Sequence, residues 1–156
     1  MRLALFEPDI PQNTGTILRL AACLGVGVDL VEPLGFVLTD EKFRRAGLDY
    51  WEQAALTRHA SFAAFEAARR AAGGRLVLFS AQAALAYTDF VFRESDTLIF
   101  GRESSGASAA VHAAADTALR IPLVAGRRSL NVAVAAAMAL GEALRQTRGF
   151  PKTPPR

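Results

Sequence analysis

A basic loop in front of an apolar helix is the first segment whose residue types could do chemistry. The range Arg127–Asn131 contains two arginines, a serine and an asparagine, and small apolar residues follow it from Val132. Free backbone N–H groups at a helix start attract anions, and an arginine guanidinium can bind a phosphate through two hydrogen bonds. A capped helix preceded by two solvated arginines, Arg127 and Arg128, is the alternative. The loop alone therefore suggests an anion site without establishing one.

A single arginine, Arg19, interrupts a segment of small and apolar residues that reads as a helix from Asn13 or Thr14 to about Leu24. A charge among apolar neighbours is costly unless it is paired. Its role is either a structural ion pair, with Glu7 or Glu103, or a functional contact. The sequence favours neither.

Glycines flank four polar residues in Gly101–Gly106, directly after the apolar strand pattern Thr97–Phe100. Glycine lets the backbone approach a ligand closely at such a strand end. The segment has neither a G-x-G-x-x-G pattern nor a Walker lysine, which gives dinucleotide and P-loop binding little support.

Cations lie beside aromatic side chains in Glu41–Trp51, which includes Arg44 and Arg45. Such a pattern suits RNA, because bases stack on rings while phosphates bind cations. A solvated helix with Phe43 and Trp51 packed inward explains the same residues and is preferred in isolation.

The composition is that of a folded protein with a mild positive charge. Of 156 residues, 51% are apolar and 21% are charged, and the formal net charge is +3. The basicity, almost wholly arginine, fits an anionic partner or a genomic base bias equally. The single cysteine, Cys23, excludes an intramolecular disulfide and is predicted to be a buried core residue of a cytoplasmic protein. His59 and His112 have no companions at metal-ligand spacing, so both are predicted to be structural and no metal is expected.

An α/β fold must position these segments, because strand and helix patterns alternate along the chain. The predicted strands are Arg2–Phe6, Val26–Val31, Ala54–Thr57, Leu76–Ser80, Thr97–Phe100 and Ala118–Leu123. The predicted helices are Asn13–Leu24, Asp40–Ala46, Ser61–Ala72, Ser108–Ala115 and one that begins near Leu130 or Asn131. In a mostly parallel sheet, ligands bind beyond the carboxyl ends of the strands. We expect one domain over residues 1–148 and a flexible tail over residues 149–156.

The last helix contains only Asn131 as a polar residue between Leu130 and Leu140. A helix that is apolar all round is predicted to be buried on every side. It is too short and too alanine-rich to span a bilayer, so no membrane contact is expected.

Four ordered segments together resemble the SPOUT superfamily of knotted RNA methyltransferases, and most of all its small members that 2′-O-methylate the wobble nucleotide of tRNA. The segments are E-P-D-I-P-Q-N-T-G-T-I-L-R (Glu7–Arg19), F-R-R-A-G-L-D-Y (Phe43–Tyr50), L-I-F-G-R-E-S-S-G (Leu98–Gly106) and I-P-L-V-A-G-R-R-S-L-N (Ile121–Asn131). The sequence departs from the family pattern at Thr16, Arg102 and Gly141, where asparagine, proline and tyrosine are usual.

The resemblance implies flanking helices, a C-terminal trefoil knot and an S-adenosyl-L-methionine site made by three loops. Cofactor contacts are implied for Phe79, Ser80, Gly101, Ile121, Leu123, Ser129 and Leu130. It further implies a homodimer with the active site near the interface, the tRNA anticodon stem-loop as partner, and no metal.

The resemblance also implies that Arg19 is the central catalytic residue. Asn13, Glu103, Ser129 and Asn131 would shape the site. Because a guanidinium holds its proton to a pKa above about 12, we interpret Arg19 as orienting phosphate or ribose and stabilising a developing alkoxide, and not as a base. RNA contacts are predicted at Arg19, Arg44, Arg45, Arg127 and Arg128.

Three alternatives stay open at this stage. The enzyme could 2′-O-methylate another tRNA position or ribosomal RNA, or the chain could be an inactive knotted RNA-binding module. A generic nucleotide-binding α/β protein survives only if the knot is absent.

Overall fold

Seven strands form one parallel sheet in the computed structural model, which describes residues 1–37 and 55–152. They are β1 (Arg2–Phe6), β2 (Gly27–Val31), β3 (Leu56–His59), β4 (Leu76–Phe79), β5 (Leu85–Ala86), β6 (Thr97–Phe100) and β7 (Thr117–Arg120). The strand order is β3-β2-β1-β6-β4-β7-β5, and neighbouring strands are parallel throughout. The prediction of an α/β fold with a mostly parallel sheet is confirmed.

Four α-helices of the described residues flank this sheet. They are α1 (Pro11–Leu24), α2 (Phe62–Ala72), α3 (Ala109–Ala114) and α4 (Val132–Thr147). Ser61 and Ser108 cap α2 and α3, and their side chains accept hydrogen bonds from backbone N–H groups in the first turn. These helices therefore begin where the serines predict, since a serine hydroxyl satisfies an N–H that has no partner within the helix.

The sheet separates two hydrophobic clusters. Leu3 and Leu5 of β1 face the cluster that contains α1 and α4, whereas Ala4 and Phe6 face the cluster that contains α2 and α3. Alternate residues of a strand point to opposite faces, so a strand that is covered on both sides is apolar throughout. Continuous apolar runs such as Thr97–Phe100 were predictable for this reason.

Several predicted boundaries are wrong by a few residues. Helix α1 begins at Pro11 and not at Asn13, because proline fits the first helical position, where no N–H is needed. Strand β7 ends at Arg120 and not at Leu123, since Pro122 has no N–H to continue the sheet. The strand predicted at 54–57 lies at 56–59. The helix predicted at 40–46 and most of the proline-rich tail lie outside the described residues.

Helix α4 is buried on one face only, so the prediction of burial on every side is wrong for this chain taken alone. Its alanine-rich face packs on α1 and the sheet, and Ala136 and Leu140 are fully buried. Val134 and Met138 remain 49% and 39% exposed. Apolar composition all round the helix therefore leaves an apolar stripe, Val134, Ala137 and Met138, on the molecular surface.

Cys23 lies on the exposed face of α1 and is not a core residue, which corrects the prediction. It follows Thr16 and Arg19 at helical spacing, and all three are exposed. We call Thr16, Arg19 and Cys23 the outward face of α1. Because α1 packs against α4 on the same face of the sheet, this face lies on the same side of the molecule as the apolar stripe.

The chain between β4 and β6 crosses the end of α4. Gln146 donates from Nε2 to the Phe90 carbonyl and accepts from the Phe92 N–H at Oε1, each at 3.0 Å. One amide side chain thus serves a donor and an acceptor of the crossing backbone, which fastens that segment to the last turn of α4.

Candidate active site

A cavity of about 580 Å³ lies beyond the carboxyl ends of β1, β4, β6 and β7. This volume is in the range of small-molecule sites. Its walls come from the start of α1, the loops that follow β4, β6 and β7, and the first turn of α4. The cavity therefore forms where ligands gather in parallel α/β sheets.

The loop after β6 is held tight by two hydrogen bonds between Arg102 and Gly106. The Arg102 N–H donates to the Gly106 carbonyl at 3.0 Å, and the Gly106 N–H donates to the Arg102 carbonyl at 2.8 Å. A Cβ at Gly101 would lie 2.3 Å from backbone atoms of Gly106 and Ala107. Glycine is therefore required at position 101 by the closeness of the returning backbone.

The same loop is joined to the loop after β1 through Asp9 and Glu103. Glu103 Oε2 accepts the Asp9 N–H at 3.0 Å, and Asp9 Oδ1 accepts the Glu103 N–H at 3.2 Å. The Ser104 hydroxyl donates to Asp9 Oδ2. This reciprocal pairing fixes the Glu103 carboxylate at the cavity wall.

Two asparagines extend this network from Glu103 to the last helix. Asn13 donates from Nδ2 to Glu103 Oε1 at 3.2 Å and accepts at Oδ1 from Asn131 Nδ2 at 2.9 Å. Asn131 also caps α4, because its Oδ1 accepts the N–H groups of Ala133 and Val134. The helix predicted to begin near Leu130 or Asn131 begins at Val132 with Asn131 as its cap, and the same side chain links α4 to α1.

The two carboxylates of this network, those of Asp9 and Glu103, differ in pKa. Hydrogen bonds from Glu103 and Ser104, together with the positive charge of Arg102, lower the pKa of Asp9 to about 2. Burial raises the pKa of Glu103 above its usual value, and the neighbouring Asp9 raises it further. Asp9 is thus the stable anion, whereas Glu103 binds a proton more readily.

The opposite wall of the cavity is apolar. Phe79 and Phe100 stack with ring centroids 5.1 Å apart. Ile10, Leu123 and Leu130 line the cavity and are between 36% and 40% exposed. A planar apolar ligand group would cover these side chains and remove them from water.

Most residues predicted for the site line this one cavity. The seven side chains or backbones implied for the cofactor are all there, namely Phe79, Ser80, Gly101, Ile121, Leu123, Ser129 and Leu130. Four of the five residues implied for catalysis also line it, namely Asn13, Glu103, Ser129 and Asn131. The structure therefore brings these residues together at one cavity.

The arginines are placed differently. Arg19 is exposed on the outward face of α1 and does not line the cavity. Arg127 and Arg128 are exposed in the loop between β7 and α4. Arg44 and Arg45 lie outside the described residues.

Sequence reasoning missed three residues of the site. Asp9 and Arg102 lie within the segments that suggested the family, but neither was singled out as functional. His112 was predicted to be structural, yet it is exposed and lines the cavity from α3. A signal for Asp9 existed, because it is a polar residue in the loop that directly follows the end of strand β1.

Two classes of feature are not found in the part of the chain that the structure describes. No group of three or more His, Cys, Asp or Glu side chains there could hold a metal ion. None of its helices is both long and apolar enough to cross a membrane.

Comparison with known proteins identifies relatives along the whole chain. A model of the SpoU rRNA Methylase family matches residues 1–141. The tRNA (cytidine(34)-2′-O)-methyltransferase of Ancylobacter novellus is 57% identical over 98% of this chain and 97% of its own length. The protein of the same name from Escherichia coli K12 is 39% identical over 97% of this chain and 96% of its own length.

Solved structures agree with these relatives. The first solved structure is described as "Structural insights into the 2-OH methylation of C/U34 on tRNA". It matches this chain with a TM-score of 0.87 and 46% sequence identity, over 93% of this chain and 94% of that chain. The SpoU methyltransferase AviRb from Streptomyces viridochromogenes, in complex with AdoMet, has a TM-score of 0.82 and 31% identity, over 94% of this chain and 57% of that one. The chain therefore belongs to the SpoU methylase family.

Proposed function

We propose that this protein transfers a methyl group from S-adenosyl-L-methionine to the ribose 2′-hydroxyl of the wobble nucleotide, cytidine or modified uridine 34, of tRNA. The observation that carries the proposal is the cavity that joins three strand-end loops to the Asn13–Glu103–Asn131 network. The full-length similarity to tRNA (cytidine(34)-2′-O)-methyltransferases supports the substrate.

The cavity fits the methyl donor. Apolar side chains that are left partly exposed, such as Leu123 and Leu130, suit an adenine ring, and the backbone of Gly101 and Ile121 suits its polar edge. Solved relatives bind AdoMet. When bound, the cofactor supplies an electrophilic methyl group, so no metal is needed for the transfer.

The residues of the network can align the ribose hydroxyl and accept its proton. A hydroxyl is a weak nucleophile, so the site must align it and accept its proton. Asn13 and Asn131 hold each other and can orient the ribose, while each Glu103 oxygen keeps a lone pair beyond the hydrogen bond it accepts. We assign the proton acceptor to the Glu103 carboxylate, whose raised pKa makes it a stronger base than an exposed glutamate.

A second copy of the chain accounts for the position of Arg19 and the apolar stripe on α4. Val134, Ala137 and Met138 are exposed together on α4, which packs on α1, and such a stripe is typical of a protein interface. We propose a homodimer that covers this stripe and brings Arg19 close to the bound tRNA, where it orients phosphate or ribose and stabilises the alkoxide.

We propose further that the C-terminal region forms a trefoil knot. Strand β7 lies beyond β4 in the sheet, yet α4 returns to pack on α1 and β6. The segment between β4 and β6 crosses α4 and bonds to Gln146. These two observations support passage of the chain behind that segment.

The lone cysteine supports a reducing, cytoplasmic location, where tRNA is also found.

Labelled methyl transfer followed by mapping of the modified nucleotide tests the function. We expect label at nucleotide 34 of tRNA that lacks the modification, and none when that nucleotide carries a 2′-deoxy ribose. Label at another position of tRNA or in ribosomal RNA would refute the wobble assignment. Absence of S-adenosyl-L-methionine binding in calorimetry would favour an inactive RNA-binding module.

A further inference from the structure

Arg102 joins the two polar loops of the site. Its Nη1 donates to Glu7 Oε2 at 3.2 Å, and its Nε lies 3.6 Å from Asp9 Oδ2. The side chain is 31% exposed, and the residue lines the cavity. A single guanidinium from the loop after β6 therefore contacts two carboxylates from the loop after β1.

One nitrogen of the guanidinium is not hydrogen-bonded. Arg102 Nε is buried and has no hydrogen bond to any atom in the described ranges, although Asp9 Oδ2 is near. That oxygen also accepts the Ser104 hydroxyl. A buried donor without an acceptor is unfavourable, so the ion pairs with Glu7 and Asp9 are what hold the side chain here.

The positive charge of Arg102 acts on Asp9 and Glu103 as a pair, because two hydrogen bonds join these residues. Asp9 accepts the Glu103 N–H, and its own N–H donates to the Glu103 carboxylate. Glu7, Asp9 and Glu103 put three negative charges into two adjoining loops, and Arg102 contacts two of them directly. Without a cation at this place, repulsion would push the loops apart and favour a proton on one of the carboxylates.

We propose that Arg102 is a positioning residue that holds the loop after β1 against the loop after β6, and so keeps Glu103 directed into the cavity and ionised for proton acceptance. This inference rests on the proposed methyl transfer. It assigns to Arg102 a role that acts on the Asp9–Glu103 pair and not by contact with the substrate.

The charged groups around Glu103 decide the sign of the pH effect. Asp9 and the neutral Asn13 contact it, Arg102 pairs with Asp9, Glu7 pairs with Arg102, and His112 lines the same cavity. Removal of the Arg102 charge raises the proton affinity of the Asp9–Glu103 pair and so disfavours the state in which both carboxylates are ionised. The acid limb of the rate profile, which reports loss of that state, then moves to higher pH.

The test compares Arg102→Gln, Arg102→Lys and the control Arg70→Ala, which removes an exposed arginine paired with Glu66 on α2. Profiles of kcat and kcat/KM against pH are recorded with tRNA, all in a His112→Gln background so that the imidazole does not contribute. Calorimetry gives the Kd for S-adenosyl-L-methionine, and thermal melts check folding.

We expect Arg102→Gln to lower kcat at pH 7 by roughly 10- to 100-fold and to move the acid limb upward, with the cofactor Kd changed by less than about 3-fold. Arg102→Lys keeps the charge and should restore the acid limb, which a lost packing contact would not explain. Unchanged kcat in Arg102→Gln, or a loss that is equal at every pH, would overturn the inference. If Arg102→Gln does not fold, Arg102→Lys decides, because its limb must coincide with that of the Arg70→Ala control. Wild-type protein without activity on tRNA would instead refute the proposed function.

Discussion

At the scale of single residues, Asn131 joins the last helix to the polar network of the site. Its oxygen caps α4, and its amide nitrogen binds Asn13, which in turn binds Glu103. One side chain thus couples the start of a helix to the position of a carboxylate. A residue at a cap can therefore be structural and functional together.

Arg19 is the residue whose substitution should separate cofactor binding from turnover. We expect Arg19→Ala to lower kcat on tRNA by about 100-fold or more, comparable to the loss of one donor to a developing oxyanion. The Kd for S-adenosyl-L-methionine should stay within about 3-fold, because Arg19 does not line the cavity. Single-turnover methyl transfer and calorimetry measure the two quantities.

Arg70→Ala on α2 is the matched control for Arg19→Ala, and it should retain wild-type turnover. Near-normal kcat in Arg19→Ala would remove Arg19 from the mechanism. An equal loss in both variants would indicate a general effect of arginine removal.

Residues of the site were predictable in part. Gly101, Glu103 and Asn131 follow strand ends or cap a helix, and these are positions where local sequence predicts geometry. Arg102 and His112 were not predictable as site residues, because their place at the cavity depends on contacts with loops far away in the chain. Arg102 meets Glu7 across 95 residues, and no local pattern reports such a distance.

At the scale of elements, α4 carries the main difference between expectation and structure. An apolar helix was predicted to be covered all round, and one face is exposed. Propensity and periodicity report that a face is apolar, but not whether its cover is the same chain or a second one. The end of β7 was also predicted in the wrong place, because it depends on a single residue, Pro122.

Met138→Lys tests the role of the exposed stripe. We expect it to weaken dimerisation by at least 10-fold, because an interface would have to bury an unpaired ammonium group. The melting temperature of the dissociated chain should change little, since Met138 is 39% exposed. Sedimentation equilibrium over a range of protein concentrations measures the first quantity.

Val91→Lys, at a residue that is 75% exposed and not part of the stripe, is the control for Met138→Lys. It should leave the association constant unchanged. A wild-type chain that sediments as a monomer at micromolar concentration would contradict the proposed dimer, as would an unaltered dimer in Met138→Lys.

At the scale of the whole molecule, the parallel α/β architecture was predictable and the path of its last segment was not. Alternating strands and helices indicate a covered parallel sheet. Nothing in periodicity indicates that α4 returns across the sheet to α1, because that path depends on which helices fill the face. The implied knot came from family resemblance alone.

Binding of tRNA should respond to salt as a property of the whole basic surface. We expect the logarithm of the association constant to fall linearly with the logarithm of salt concentration, since phosphate contacts release counterions. Arg127→Ala with Arg128→Ala should reduce the magnitude of the slope by roughly one to two, and Arg44→Ala with Arg45→Ala by a similar amount. Fluorescence anisotropy with labelled tRNA measures these slopes.

Binding of S-adenosyl-L-methionine supplies the control, because neither arginine pair is predicted to touch the cofactor. A double variant with an unaltered slope would show that its pair faces solvent. For Arg127 and Arg128, this result would mean that the start of α4 binds no phosphate of the tRNA.

The walls of the cavity have a consequence for biosynthesis. Its lining residues lie between Ile10 and Ala135 in the chain. The ribosome must therefore synthesise nearly the whole domain before the last lining residues can join the cavity. A nascent chain on the ribosome has no complete cavity until α4 has emerged and docked. The proposed methyl donor therefore cannot assist early folding steps. It can only stabilise chains that have already folded, by the free energy RT ln(1 + [L]/Kd).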